Sequence, residues 1–234
     1  MRPVTMYFRP TASNYAVICH GNSLTVGIGS STKWPAVMSS LTPMVATGVT
    51  AVNAGVSGQA ISAAGGNGTM MATAPTAVDA ALQADKTNIL FAWEFVNELG
   101  LNGLSAENAK SAWISYCAAR KSAAASAGKK LKIITCTIPP GKISGGYTGA
   151  DDVTYNTTLV AINKWMRNNY RSFADQICDF AAAPIFAPII SAGTYTAAEF
   201  DASGLYQADG LHFLPAVYDV LGAIGAQRMR QVAL

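Results

Sequence analysis

Residues 15–25 read Tyr-Ala-Val-Ile-Cys-His-Gly-Asn-Ser-Leu-Thr. The run from Tyr15 to Cys19 has the length and the aromatic and β-branched content of a buried strand. It passes straight into a glycine-containing turn, so Ser23 is expected at the carboxyl end of a strand. Four more runs share this character: Val49 to Asn53, Asn88 to Trp93, Leu131 to Thr137 and Gln176 to Phe180. Longer helical patterns lie between them, at about Trp34 to Val45, Thr73 to Ala84, Ser105 to Ala127, Asp152 to Tyr170 and Pro215 to Val232. The helix ends are marked: Ser105 or Asp152 can N-cap, Gly128 can take the left-handed position after a helix, and Pro215 fits a first turn. Strand and helix alternate, which predicts a five-stranded parallel sheet with right-handed crossovers and helices on both faces. The expected fold class is therefore α/β, a three-layer α/β/α sandwich, with its site outside the carboxyl ends of the strands. Two stretches rich in turn residues, Gly141 to Asp151 and Ala181 to Ala208, are expected as loops on that rim.

At 234 residues the chain suits a single domain, residues 1–234. Half of it is hydrophobic and only 12% is charged, about half the usual charged share, so the surface must be largely Ser, Thr, Ala, Gly and Asn. That balance fits an extracellular or phage-particle setting. The net charge is +3, with Lys and Arg dispersed apart from short pairs such as Lys129-Lys130. No basic stripe exists to track a phosphate backbone, so nucleic acid is not expected as a partner. No apolar run approaches the roughly 18 residues that span a bilayer, and residues 1–13 contain no continuous apolar signal-peptide core. The chain is expected to be soluble: cytosolic, exported by another route, or cut from something longer. Cys19, Cys117, Cys136 and Cys178 are widely spaced, mostly within strand-like runs, and read as buried structural thiols. With no close Cys/His spacing, no metal is expected.

Chemistry near neutral pH points first to histidine, and the chain has two, His20 and His212. His212 ends the run Asp209-Gly210-Leu211-His212, in a loop that leads into a helix. Three residues back, Asp209 can accept the Nδ1 hydrogen and leave Nε2 free to take a proton. Ser23, on its strand-end turn, is the nucleophile candidate. Asn53-Ala54-Gly55-Val56-Ser57-Gly58 follows the second strand and Glu94-Phe95-Val96-Asn97-Glu98 the third, so both reach the same rim. A glycine N–H and an asparagine amide are donors of the kind an oxyanion needs. Taken singly, each feature has a plainer reading: a serine there can be an N-cap and a DxxH pair a surface polar pair. His20 and Trp93 read as packing residues, Glu94 as a support for the Ser23 or Asn97 loop, and Asp151-Asp152 as a helix N-terminal pair. No pair of carboxylates is singled out for glycoside hydrolysis.

Taken together and in order, these segments resemble the SGNH (GDSL-like) hydrolase superfamily. HGNSLT resembles the nucleophile block, NAGVSG the block with an oxyanion glycine, EFVNEL the GxND block and DGLH the DxxH block. Thr137-Ile138-Pro139-Pro140, and Tyr155-Asn156 with Asn163, are lesser likenesses. The resemblance implies a flavodoxin-like fold and Ser23 as nucleophile. It also implies an oxyanion hole of Gly58, Asn97 and the Ser23 N–H, and Asp209 and His212 as the rest of a triad. Two positions depart from the family pattern: Asn22 stands for the Asp of GDSL, and Phe95 for the Gly of GxND, which puts the size of the acyl pocket in question. The activity implied is that of a serine esterase without cofactor. Its substrate class stays open among O-acetyl groups on a carbohydrate, favoured by the uncharged surface and by Tyr147, Tyr195 and Tyr206 on the rim loops, and short-chain lipid, aryl or thioesters. A non-catalytic glycan-binding domain of a phage tail or surface protein is the alternative of another class.

Overall fold

A computed structural model of the chain describes residues 14–41, 49, 51–62, 67–143 and 151–233. Five strands form one wholly parallel sheet: β1 Tyr15–Gly21, β2 Ala51–Asn53, β3 Thr87–Trp93, β4 Lys130–Cys136 and β5 Gln176–Cys178, in the order β2-β1-β3-β4-β5. All five predicted strands are present, β1 two residues longer and β5 two shorter than their apolar runs. Around them lie nine described helices. In chain order they are α1 Ser23–Val26, α2 Trp34–Ser40, α3 Met70–Ala77, α4 Val96–Gly100, α5 Ala106–Ser126, α6 Asp152–Asn169, α7 Ala187–Ala192, α8 Ala197–Ala202 and α9 Pro215–Ala233. Predicted helix 34–45 beyond residue 41, and most of the predicted loop 141–151 with Tyr147, lie outside the described residues.

The helices take two layers. α2 and α9 cover one face, where Gly222 and Gly225 of α9 let its backbone approach Trp34, Val37 and Met38 of α2. Trp34 then meets Phe91 and Trp93 of β3 and Phe180 edge-on, at 5.3–6.1 Å between ring centroids. α3, α5 and α6 cover the other face, where Trp113 of α5 donates to Thr135 Oγ1 of β4 at 3.1 Å. Among the described residues no helix is long and apolar enough to cross a membrane. The four cysteines are free and buried.

The caps explain most boundaries. Ser105 caps α5 through Asn108 N, and Gly128 beyond its end has φ +65°. α6 is capped by Asp151 and not by Asp152, whose carboxylate accepts Ile143 N at 2.6 Å. α3 starts three residues before its predicted Thr73, because Thr69 accepts Ala72 N, and it stops at Ala77, short of the predicted Ala84. The region 181–208 is also not a plain loop. It holds 3₁₀ turns and two short helices, α8 closed by a Thr196/Glu199 capping box.

Strand order places the site. The chain leaves β1 outward for β2, then returns past β1 to β3, so the winding reverses between β1 and β3. In open parallel sheets ligands bind where the order reverses, outside the carboxyl ends of the two strands. Ser23 follows β1 there and Asn97 follows β3, from strands whose last paired residues are Gly21 and Trp93.

Candidate active site

Ser23 is the first residue of α1. Asn22 caps the helix, its Oδ1 accepting Leu24 N at 2.9 Å, and the four-residue helix closes on Gly27 at φ +76°. A serine at this position presents its backbone N–H without an intrahelical acceptor. Gly21 makes the turn possible, because a Cβ there would overlap the Trp93 carbonyl of the neighbouring strand. Ser23 is 4% exposed.

Two loops meet beside it. Gly58 lies in the turn after β2 with φ +72°, a left-handed conformation that favours glycine. Asn97 is buried in α4, and its Nδ2 donates to Gln59 O at 2.9 Å, which leaves a second hydrogen on the same nitrogen. The Asn97 amide is thereby tied to the residue after Gly58. Glu98, fully buried, secures the same junction: its carboxylate accepts Ile61 N at 2.8 Å, Ser62 N at 3.3 Å and Ser62 Oγ at 2.8 Å. Gln59 Nε2 adds a bond to Thr73 Oγ1 at 2.5 Å.

The corner before Asn97 is held by Glu94. This buried carboxyl accepts the Phe95 N–H, and the Asn97 N–H at 3.0 Å. Burial pushes its pKa up to about 8, while the Asn22 side chain and the Asn97 and Phe95 N–H groups pull the other way, and Glu98 adds to the rise. Phe95 sits at φ +111°. The corner therefore needs a left-handed residue, which accounts for a glycine in the family pattern, and Phe95 holds it under strain. Its ring is fully buried, 5.1 Å from Trp113. This departure bears on the backbone and the core; the ring itself packs away beneath α5.

The Asp209–His212 segment forms the tip of a short loop closed by a Tyr206–Phe213 bridge. Asp209 Oδ1 accepts Leu211 N and His212 N, both at 2.9 Å, and Oδ2 lies 2.6 Å from His212 Nδ1. Partial burial works to raise the Asp209 pKa, but the bonds from the His212 ring and the two N–H groups outweigh it and hold the carboxyl below its usual value. Facing a carboxylate, Nδ1 is the donor, and in the neutral imidazole Nε2 is then the nitrogen that carries the lone pair. Nε2 is buried and has no hydrogen-bond partner among the described residues, Ser23 Oγ included.

His20 belongs to the core. It is fully buried, with Nδ1 2.7 Å from Tyr116 Oη and Nε2 3.4 Å from Thr73 Oγ1. Burial, and then the nearby Arg120, push its pKa down to about 4 despite the Gln59 amide, so it is neutral at pH 7. Of the three rim tyrosines, Tyr195 and Tyr206 are buried, and Tyr206 donates to Pro140 O at 2.6 Å. Both rings therefore present little surface to a sugar. Among the described residues no group of His, Cys, Asp and Glu could hold a metal ion. No pattern in the sequence assigns a role to Gln59, Glu98 or Gln207. Gln59 and Glu98 adjoin the motif residues Gly58 and Asn97, which is the one signal that marks them.

Solved structures share this arrangement of sheet and helices. A carbohydrate acetylesterase from Sinorhizobium meliloti superimposes with a TM-score of 0.63 at 14% identity, covering 93% of this chain and 99% of its own. The native aryl esterase of M. smegmatis gives 0.62 at 12% identity over the same shares. A member of the lipolytic G-D-S-L family from Veillonella parvula gives 0.61 at 14%, again over 93% and 99%. The fold is that of the SGNH hydrolases. No protein-family model and no curated protein matches the sequence. Identities this low carry the SGNH fold alone, since one fold hosts many substrates.

Proposed function

We propose that the chain is a serine ester hydrolase in which Ser23 is the nucleophile, His212 the general base and Asp209 its orienting partner. The observation that carries this reading is the Asp209–His212 pair. A carboxylate that accepts two backbone N–H groups holds the ring by Nδ1, and Nε2 is buried without a hydrogen-bond partner, as a base waiting for a proton would be. Nε2 takes the Ser23 Oγ proton as Oγ attacks the ester carbonyl. The oxyanion is held by the N–H groups of Ser23 and Gly58 and by the free Asn97 Nδ2 hydrogen. The imidazolium then protonates the leaving alcohol, and water, deprotonated by Nε2, splits the acyl-serine to release the acid. No cofactor takes part.

For the substrate we propose an O-acetyl group on a carbohydrate, supported by the carbohydrate acetylesterase among the SGNH neighbours and by the sparsely charged sequence. A second reading, a short-chain or aryl ester, is favoured by Ile28 just beyond α1 and Leu214 just beyond His212. These apolar side chains are 38% and 37% exposed beside the two reacting loops. Acetate release from O-acetylated polysaccharides, measured beside p-nitrophenyl acetate hydrolysis with Ser23→Ala as blank, separates the two. Release from glycan supports the first reading; activity confined to nitrophenyl esters supports the second. A chain inert toward both, and unreactive toward an activated acylating probe, would be a binding module.

A further inference from the structure

The reacting residues stand on two loops far apart in sequence, and something must set one against the other. The loop bearing His212 is anchored on its outer side to the segment after β4. Lys142 N donates to Gly210 O at 2.9 Å, and Tyr206 Oη donates to Pro140 O at 2.6 Å. On its inner side it faces the turn that follows α1. There the Gln207 amide makes the connection: Nε2 donates to Ile28 O at 2.7 Å and to Phe213 O at 3.1 Å. The same residue closes the base loop with its backbone. Gln207 N donates to His212 O at 2.7 Å and Gly210 N donates to Gln207 O at 2.8 Å. Gln207 thus binds the backbone on both sides of His212 and reaches across to the turn after the helix that starts with Ser23. Ile28 N in turn donates to Ser23 O at 3.2 Å, so the contact is one hydrogen bond removed from the nucleophile.

Gly29 is shaped for this contact. It stands at φ +69°, and a Cβ on it would overlap the Gln207 amide oxygen and crowd the rest of the amide. Any other residue would be strained at that φ and would also push Gln207 away.

Resting on the reading of Ser23 and His212 as nucleophile and base, we infer that Gln207 is a positioning residue that holds the His212 loop against the turn after α1 and so governs how closely His212 Nε2 can approach Ser23 Oγ. Because Nε2 has no other partner to hold it, its distance from Oγ follows from how the base loop sits against α1. A misplacement of about 1 Å costs on the order of 10²-fold in rate.

The test is a double-mutant cycle on p-nitrophenyl acetate, with Gln207→Leu, His212→Ala and the pair, followed in single turnovers, and thermal melts alongside. The expected result is a fall in kcat of about 10- to 100-fold for Gln207→Leu, with KM and Tm little changed. In the His212→Ala background the same substitution should cost nothing further, because the group it positions is gone. Gly29→Ala, which displaces Gln207 from the other side, should reproduce the kcat loss and add little to Gln207→Leu. An unchanged kcat in Gln207→Leu and Gly29→Ala would overturn the positioning role, as would a loss that persists undiminished without His212. Should Ser23→Ala or His212→Ala retain full activity, the catalytic reading itself fails, whatever Gln207 does.

Discussion

Asn97 and Phe95 stand two residues apart, yet opposite kinds of effect dominate at each. Asn97 has one amide hydrogen committed to Gln59 O, and the proposed mechanism gives the other to the oxyanion. Asn97→Ala is expected to lower kcat by on the order of 10²–10³ and leave activity measurable, because loss of one oxyanion donor costs about that much. Steady-state kinetics on p-nitrophenyl acetate checks it. At Phe95 the strain of a left-handed phenylalanine, about 1–3 kcal/mol, opposes the packing of a buried ring on Trp113, about 3–5 kcal/mol when removed. Packing wins, so Phe95→Gly is expected to lose about 2 kcal/mol in urea unfolding, with the flexibility of glycine adding to the loss. A gain in stability would show that strain is the larger effect.

Helices and strands are where local sequence signals speak most directly. The apolar runs found the central strands β1 and β3 because a strand buried on both faces has no other way to be written; the edge strands β2 and β5, only partly buried, still carry short β-branched runs between turn residues. Ser105, Gly128 and Pro215 marked helix ends for the same local reason. What the runs could not reveal were contacts made by folding: Thr69 capping α3 ahead of its apolar pattern, Glu98 reaching Ile61 and Ser62, and Gln207 bonding to Ile28 across 179 positions. Ser23, Gly58, Asn97, Asp209 and His212 could be picked out because each sits at a strand end or in a short motif. Their supports could not, since a glutamine in a loop has no pattern of its own. The close approach of α2 and α9 was likewise silent, and it makes a prediction. A Cβ on Gly222 would come within 2.5 Å of Val37 Cβ and 3.0 Å of Trp34 O. Gly222→Ala should therefore cost about 1–3 kcal/mol by overpacking, read as a lowered urea midpoint with kcat intact.

Across the whole molecule, two buried titratable groups pull stability in opposite directions with pH. His20, lowered to about 4, binds protons less readily folded than unfolded, so stability is lost as pH falls from about 6.5. Glu94, raised to about 8, binds protons more readily folded, so its contribution is complete below about 4.5 and lost as pH rises to 8. Between those limits the two slopes cancel up to about pH 6.5, beyond which Glu94 acts alone. Tm is expected to hold level from about pH 4.5 to 6.5 and to fall from there to about 8. Glu94→Gln should abolish the alkaline fall and expose a rise between pH 4 and 6.5. A wild-type Tm that does not change between pH 6.5 and 8 would contradict the protonated Glu94 corner.

The proposed site draws on residues that follow β1, β2 and β3 and on the loop before α9, so its activity requires the complete fold. The most direct test of Ser23 as a nucleophile served by His212 is fluorophosphonate labelling followed by intact mass and peptide mapping. The account predicts one adduct per chain, on Ser23, absent in Ser23→Ala and formed far more slowly in His212→Ala. An unlabelled wild-type chain, or an adduct that survives Ser23→Ala, would contradict it.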